Sequence, residues 1–287
     1  MERSRTVRLF LREIRIEHTL FALPFAYVGA LLAAHGLPSW WSLIWITVAV
    51  LGARTAAMSA NRYLDREIDA RNPRTARRAV ASGKLNASTM LWAAAAGLVL
   101  LVVAAWMLNP LCVKLLPIAA LGLLAYPLCK RFTWLTHFVL GAVDALAPLG
   151  AYVAVAGTVR PSAILLFIAV TLWVAGFDVI YALMDLDVDR AQHLRSLPVR
   201  FGGRRGKRLA IALHVLTAAA LAGAGVTAQA PAIYYAGVAA AVLLAAYEGR
   251  LLARIESLFV VNERVFRTNM AFSILFLVTT IAAARWR

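Results

Sequence analysis

Six of the seven aspartates in this 287-residue chain fall in two short stretches, a notable clustering where only 15% of residues are charged. The first stretch reads NRYLDREID from Asn61 to Asp69, and the second DVIYALMDLDVDR from Asp178 to Arg190. Residues four apart on a helix drift by about 40° around its axis, so Asn61, Asp65 and Asp69 share one stripe. On the second helix Asp178, Asp185 and Asp189 fall within about 40° of one another, with Tyr181 beside them and Asp187 on the opposite side. The spacing repeats: Asp65 to Asp185 and Asp69 to Asp189 are each 120 residues. Massed carboxylates repel and take up protons unless cations sit among them. Hard oxygen ligands at Asp65, Asp69, Asp185 and Asp189 suit Mg2+, which keeps part of its water shell and bridges to phosphate. Basic residues follow each pair: Arg71, Arg74, Arg77, Arg78 and Lys84 after the first, and Arg190, Arg195, Arg200, Arg204 and Arg205 after the second. Lys130 and Arg131 add a third basic point. Mg2+ among Arg and Lys side chains is equipment for holding a diphosphate.

Two such clusters can meet only if their helices end on the same side of a bundle. The chain is 62% hydrophobic with a mean hydropathy of +0.74, far from the roughly one-quarter charged composition of a soluble domain. It reads as an all-α polytopic membrane protein, a single transmembrane domain over 1–287 with no soluble domain. A span needs about 20 mainly apolar residues. Nine runs qualify, at about 18–35, 42–62, 88–108, 110–128, 135–156, 161–183, 207–227, 231–248 and 268–285. Pro110, in the tight turn MLNP, suits the start of a helix. With Arg62, Lys207 and Arg208 counted in the loops they border, the first, third, fifth, seventh and ninth polar segments hold 25 of the 30 Lys and Arg. The intervening loops hold only Arg160. By the positive-inside rule the N-terminus is cytoplasmic, the C-terminus is outside, and both acidic clusters belong to a cytoplasmic polar cap on the inner membrane of the cell.

Other classes fit poorly. A net charge of +16 would suit nucleic acid if it lay on one solvated face, but it is divided among short segments between spans; the expected partner is the lipid bilayer, not nucleic acid. The basic-then-apolar N-terminus is similar to a signal peptide, yet no small-x-small site precedes a soluble domain, so cleavage is not expected. No alternating strand pattern recurs, which argues against a membrane barrel. Cys112 and Cys129 read as packing residues, and His18, His35, His137, His193 and His214 show no zinc-ligand spacing.

With these residues in view, the chain resembles the UbiA superfamily of intramembrane aromatic prenyltransferases, which carry nine helices and the motifs N-x-x-x-D-x-x-x-D and D-x-x-x-D. Here these read NRYLDREID and DLDVD, and the flanks NPRTARR…SG and YPLCKRFTW are similar to the branch containing 4-hydroxybenzoate polyprenyltransferases. The resemblance implies Mg2+-dependent transfer of a polyprenyl group from its diphosphate to an aromatic acid, ortho to the hydroxyl, in quinone biosynthesis, with no oligomer required. It implies that Asn61 joins Asp65, Asp69, Asp185 and Asp189 in holding the diphosphate through Mg2+. Arg74 and Lys130, with Arg78, would bind its oxygens. Asp178 and Tyr181 match the D-x-x-Y-A step before the second motif. One departure, ARNPRT where several branches carry a glycine, leaves a dihydroxynaphthoate open as the acceptor beside 4-hydroxybenzoate.

In this reading Asp178 accepts a proton from the acceptor hydroxyl or orients it, and Tyr181 packs near the allylic cation. Arg54, two turns before Asn61 on the same face, would pair with the acceptor's carboxylate; the competing reading is an internal ion pair, with mid-span Asp144 as the available partner. Trp40, Trp41, Trp92, Trp106 and Trp134 sit near span ends and read as an interface belt. An ion-coupled transporter would also use intramembrane Asp and Arg, but its sites belong near the midplane, whereas these clusters lie at one end. A lipid phosphotransferase would be expected to gather its carboxylates in one continuous motif instead of two.

Overall fold

Backbone amides in lipid must be satisfied within their own segment, so an apolar run in the bilayer is forced into a helix. The computed structural model describes residues 2–14, 19–255 and 257–286. Its long helices are α2 (Thr19–Ala34), α3 (Trp40–Leu64), α5 (Ala87–Leu108), α6 (Pro110–Ala125), α7 (Thr136–Ala156), α8 (Pro161–Ala182), α11 (Gly203–Thr227), α12 (Tyr234–Arg254) and α13 (Leu258–Arg285). The short ones are α1 (Glu2–Glu13), α4 (Arg66–Arg71), α9 (Leu186–Ala191) and α10 (Leu197–Phe201). Eight segments are long and apolar enough to cross a membrane, and α2 is a shorter apolar helix. His18, where the first span was expected to begin, lies outside the described residues. The last helix starts at Leu258, about ten residues before the expected boundary, because Glu263, Arg264 and Arg267 are too polar for a hydropathy count. They do not interrupt the helix, and Arg267 bonds Glu263 one turn back at 2.6 Å. No strand occurs among the described residues.

Helix starts follow local chemistry. Ser39, Asn86 and Asn109 cap α3, α5 and α6, each accepting a backbone N–H with its side chain, which satisfies a donor the helix cannot. Asn109 also donates to the Val153 and Ala154 carbonyls at 2.8 and 3.1 Å, tying the α5–α6 turn to the end of α7. Between helices, small residues let backbones touch, as packing in lipid requires. A Cβ on Gly97 would lie 2.6 Å from both the Ala56 nitrogen and the Gly52 oxygen, so α5 crosses α3 with no room for a side chain.

The core beside α8 is aromatic and contains one buried polar ring. Phe21 stacks on Trp173 with centroids 4.3 Å apart, and Phe25, Phe272 and Phe276 surround them. Trp173 Nε1 donates to Asn269 Oδ1 at 2.6 Å, Asn269 Nδ2 donates to Glu248 Oε1 at 2.5 Å, and Glu248 pairs with His214. His214 Nε2 then faces the Trp173 carbonyl at 3.1 Å and closes the ring. A fully satisfied network in a low-dielectric interior is rigid. This one spans α8, α11, α12 and α13 and fixes the rotation of α8, which carries Asp178 five residues beyond Trp173.

The outer surface keeps large apolar side chains exposed, Ile118, Leu121 and Leu243 among them, as a lipid-facing surface requires. Trp40, Trp41, Trp92 and Trp106 are exposed near helix ends. Trp134 departs from the expected belt: it packs edge-on against Phe201 at 5.8 Å, with the Arg200 guanidinium 4.7 Å above its ring.

Gly97→Val is expected to destabilise the bundle by about 1–3 kcal/mol through overpacking, visible as a lower melting temperature in detergent. Gly150→Ala, where a Cβ meets nothing within 4 Å, should melt with the wild type.

Candidate active site

The two acidic stretches do not continue their parent helices. α3 stops at Leu64, Asp65 adopts φ −94° and ψ 1°, and α4 begins at Arg66. α8 stops at Ala182, a 3-10 turn covers Leu183–Asp185, Asp185 adopts φ −100° and ψ 5°, and α9 follows. Each aspartate thus occupies a kink of nearly the same shape, in the sparsely populated bridge region where many active-site residues sit. The unbroken helical stripes expected from the spacing are corrected accordingly: Asp69 and Asp189 ride on separate short helices. Beyond the kink at Asp65, Asp69 is buried on the short helix α4.

Three of the carboxylates are gripped by cations from elsewhere in the chain. Asp65 Oδ2 meets Lys130 Nζ at 2.5 Å, from the 3-10 turn Tyr126–Arg131. Arg78 Nη1 donates to Asp69 Oδ2 at 2.7 Å. Arg74 holds Asp185 with two bonds of 2.8 and 2.5 Å, and Asn72 Nδ2 adds a third at 3.0 Å. Arg74 and Asn72 follow the first motif while Asp185 belongs to the second, so the two motifs face each other across this contact. Asp65 Oδ1 is buried without a hydrogen-bond partner, with the Arg131 guanidinium 3.8 Å away. Burial pushes the Asp65 carboxyl up, against the opposing pull of Lys130. For Arg74 burial pulls down, but the Asp185 hydrogen bonds and charge outweigh it and hold the guanidinium above its usual value. Among the described residues, no three His, Cys, Asp or Glu side chains converge to hold a metal ion. Carboxylates turned onto Lys and Arg are turned away from one another.

Further in, Asn61 Nδ2 donates to the buried Tyr126 hydroxyl at 2.8 Å. Arg54 Nη1 reaches Asp144 Oδ1 at 3.4 Å, so the arginine is not alone in the bundle. The pair is long, and Arg54 Nε is buried with no partner. Both groups line a cavity of about 290 Å³, otherwise walled by apolar residues such as Leu101, Leu116, Val143 and Phe167. Asp178 Oδ2 lies 2.7 Å from His137 Nδ1. The Tyr181 ring packs 4.8 Å from that of Phe177. Asp187 is 97% exposed and stands apart from the cluster. Sequence reasoning assigned no role to Asn72, Tyr126 or His137. The first two lie in the flanks NPRT and YPLCKR, which carried a signal; His137 lies 41 residues from its aspartate on another helix, with none.

A bundle that gathers carboxylates and cations at one end and keeps an apolar cavity inside defines an enzyme for a substrate with a charged head and a lipid tail. The chain belongs to the UbiA prenyltransferase family, whose pattern spans residues 22–283. A 4-hydroxybenzoate octaprenyltransferase of Aliivibrio fischeri is 34% identical over 221 residues, 77% of each chain. One from Alkalilimnicola ehrlichii is 34% identical over 230 residues, 78% of this chain and 76% of that one. The apo structure of a UbiA homolog from Aeropyrum pernix K1 superposes with a TM-score of 0.84 at 32% identity, covering 93% of this chain and 98% of that one. A UbiA homolog from Archaeoglobus fulgidus bound to GPP and Mg2+ shares the fold, with a TM-score of 0.72 at 18% identity over 96% of this chain and 99% of that one.

Because Asp65 titrates above its ordinary range, its contribution to stability is full at low pH and is lost as pH rises through the raised value. Metal-free Asp65→Asn should therefore melt at or above the wild type at about pH 7.5, by on the order of 2 °C, with the gap closing as the pH falls through the raised value. A variant several degrees less stable at about pH 7.5 would mean that the Lys130 pair outweighs burial.

Proposed function

We propose that this protein transfers a polyprenyl group from its diphosphate to 4-hydroxybenzoate, at the ring carbon ortho to the hydroxyl. One observation carries the reading: an apolar cavity is lined by Arg54, whose guanidinium keeps a buried nitrogen, Nε, with no hydrogen-bond partner. Its helix runs on for about 16 Å to Asp65 at the cation-lined mouth. A prenyl diphosphate divides between charged head and apolar tail, and an aromatic acid supplies a carboxylate for the spare donor. The names of the curated relatives agree with that acceptor.

The residues fit Mg2+. All four motif aspartates offer hard oxygens, and Asp65 Oδ1 is buried without a partner, as an oxygen awaiting a cation would be. Asp65, Asp69, Asp185 and Asp189 would hold the ion, with Asn61 beside them on α3. When bound, Mg2+ supplies positive charge for the departing diphosphate. Arg74, Arg78 and Lys130 bind its oxygens. The C1–O bond of the prenyl chain breaks, the ring carbon beside the hydroxyl bonds to C1, and that carbon loses its proton. Tyr181 and Phe177 offer aromatic faces to the allylic cation, and Asp178 orients the acceptor hydroxyl. The apolar cavity excludes water that would otherwise capture the cation. In this reading the enzyme lies in the cell inner membrane with its N-terminus cytoplasmic, its C-terminus outside and its mouth toward the cytoplasm.

Detergent-solubilised protein with Mg2+, geranyl diphosphate and 4-hydroxybenzoate should yield the prenylated ring by mass spectrometry. Prenylation of a dihydroxynaphthoate and not of 4-hydroxybenzoate would overturn the acceptor assignment. Arg54→Ala should raise the KM for the acceptor by about tenfold or more, with the KM for the prenyl diphosphate within about threefold of wild type. The reverse pattern would place Arg54 at the donor.

A further inference from the structure

We infer that His137 is a positioning residue for prenyl transfer, a fixed hydrogen-bond donor that holds Asp178 in the orientation its proposed role requires. This rests on the reading that Asp178 faces the acceptor hydroxyl. His137 lies one residue into α7 and is 2% exposed. Its two ring nitrogens have different partners. The Leu197 backbone N–H donates to Nε2 at 3.2 Å, and a peptide N–H can only donate, so Nε2 carries the lone pair. The neutral ring's proton is therefore on Nδ1, which faces Asp178 Oδ2 at 2.7 Å. A backbone amide sets the tautomer, and the tautomer makes the imidazole a donor to the carboxylate.

Two consequences follow from this geometry. With Oδ2 held by His137, and the Asp178 side chain 32% exposed, Oδ1 is the oxygen presented to the acceptor. The histidine also cannot relay a proton onward, because the nitrogen that would receive or release it is occupied by a peptide N–H. His137 thus aims and steadies Asp178 without taking part in proton traffic. The same amide joins this end of the site to the cap: Leu197 opens α10, and Arg195, two residues earlier, donates its N–H to the Lys130 carbonyl at 2.7 Å. A displaced His137 would loosen Asp178 from the segment that positions Lys130.

The test compares two amides that replace one ring nitrogen each. Asn places its amide near the Nδ1 position and keeps a donor for Asp178, whereas Gln reaches the Nε2 position and keeps only the Leu197 contact. With geranyl diphosphate and 4-hydroxybenzoate, His137→Gln should lower kcat by about 10- to 100-fold, with the KM for the diphosphate within about threefold. His137→Asn should recover at least about tenfold of that loss, with an unchanged pH–rate profile. Adding His137→Gln to Asp178→Asn should cost nothing further, because both act through one carboxylate. If His137→Asn is as impaired as His137→Gln, or if His137→Gln instead weakens diphosphate binding and melts early, the positioning role is wrong. A silent Asp178→Asn in an active enzyme would instead overturn the reading of Asp178. An inactive Asp178→Asn beside a fully active His137→Gln would overturn the inference about His137 alone.

Discussion

Carboxylates gathered at the mouth of a lipid-embedded bundle cannot remain charged without compensation, and the polar end of this protein is organised around that constraint. Each unpaired negative charge would repel its neighbours and lose solvation on burial. The chain answers with three cations from two segments: Lys130 on Asp65, and Arg78 on Asp69 and Arg74 on Asp185 from the stretch after the first motif. These pairs do more than neutralise. Arg74 and Asn72 link the segment after the first motif to the aspartate of the second, and Arg195 ties the later cap segment back to Lys130. The contacts that keep the carboxylates charged also set where the polar segments lie.

The helices behind this mouth supply what the charges need. Kinks of nearly identical backbone geometry at Asp65 and Asp185 place an aspartate at the end of its helix and start a short charged helix beyond it. The repeated 120-residue spacing is thus matched by a repeated backbone device. α8 is held in rotation by the ring through Trp173, Asn269, Glu248 and His214, and this registers Asp178 and Asp185 toward α3 and α7. Crossing glycines on α3 and α5 bring backbones into contact beside the cavity, where Arg54 and Asp144 are the charged lining residues.

Much of this was legible in the residues, and the unread parts share a cause. Long apolar runs identify spans because lipid leaves the backbone no alternative to a helix, and Pro110 with Asn109 marked the α5–α6 turn. The start of α13 was missed because hydropathy detects lipid contact, while the helix extends past it through charged turns. The kinks were invisible because neither Asp65 nor Asp185 adjoins a Gly or Pro that would announce a break. The aspartates could be found by spacing on one helix; the pairings of Lys130 with Asp65 and of His137 with Asp178 could not, since both partners reach across the bundle. The tautomer of His137 depends on an amide 60 residues away, a relation without any local trace.

In the proposed reading Mg2+ would take the place of these cations on the carboxylates, and each released cation would be free for the diphosphate. Site charge and ligand charge would then exchange partners in one binding event. The most direct measurement is the affinity of Mg2+ alone, without diphosphate, for wild type and for Arg74→Gln by isothermal titration calorimetry. The account predicts that Mg2+ binds the variant more tightly, by about tenfold, because the competing guanidinium is gone. Equal or weaker Mg2+ binding by Arg74→Gln would contradict it.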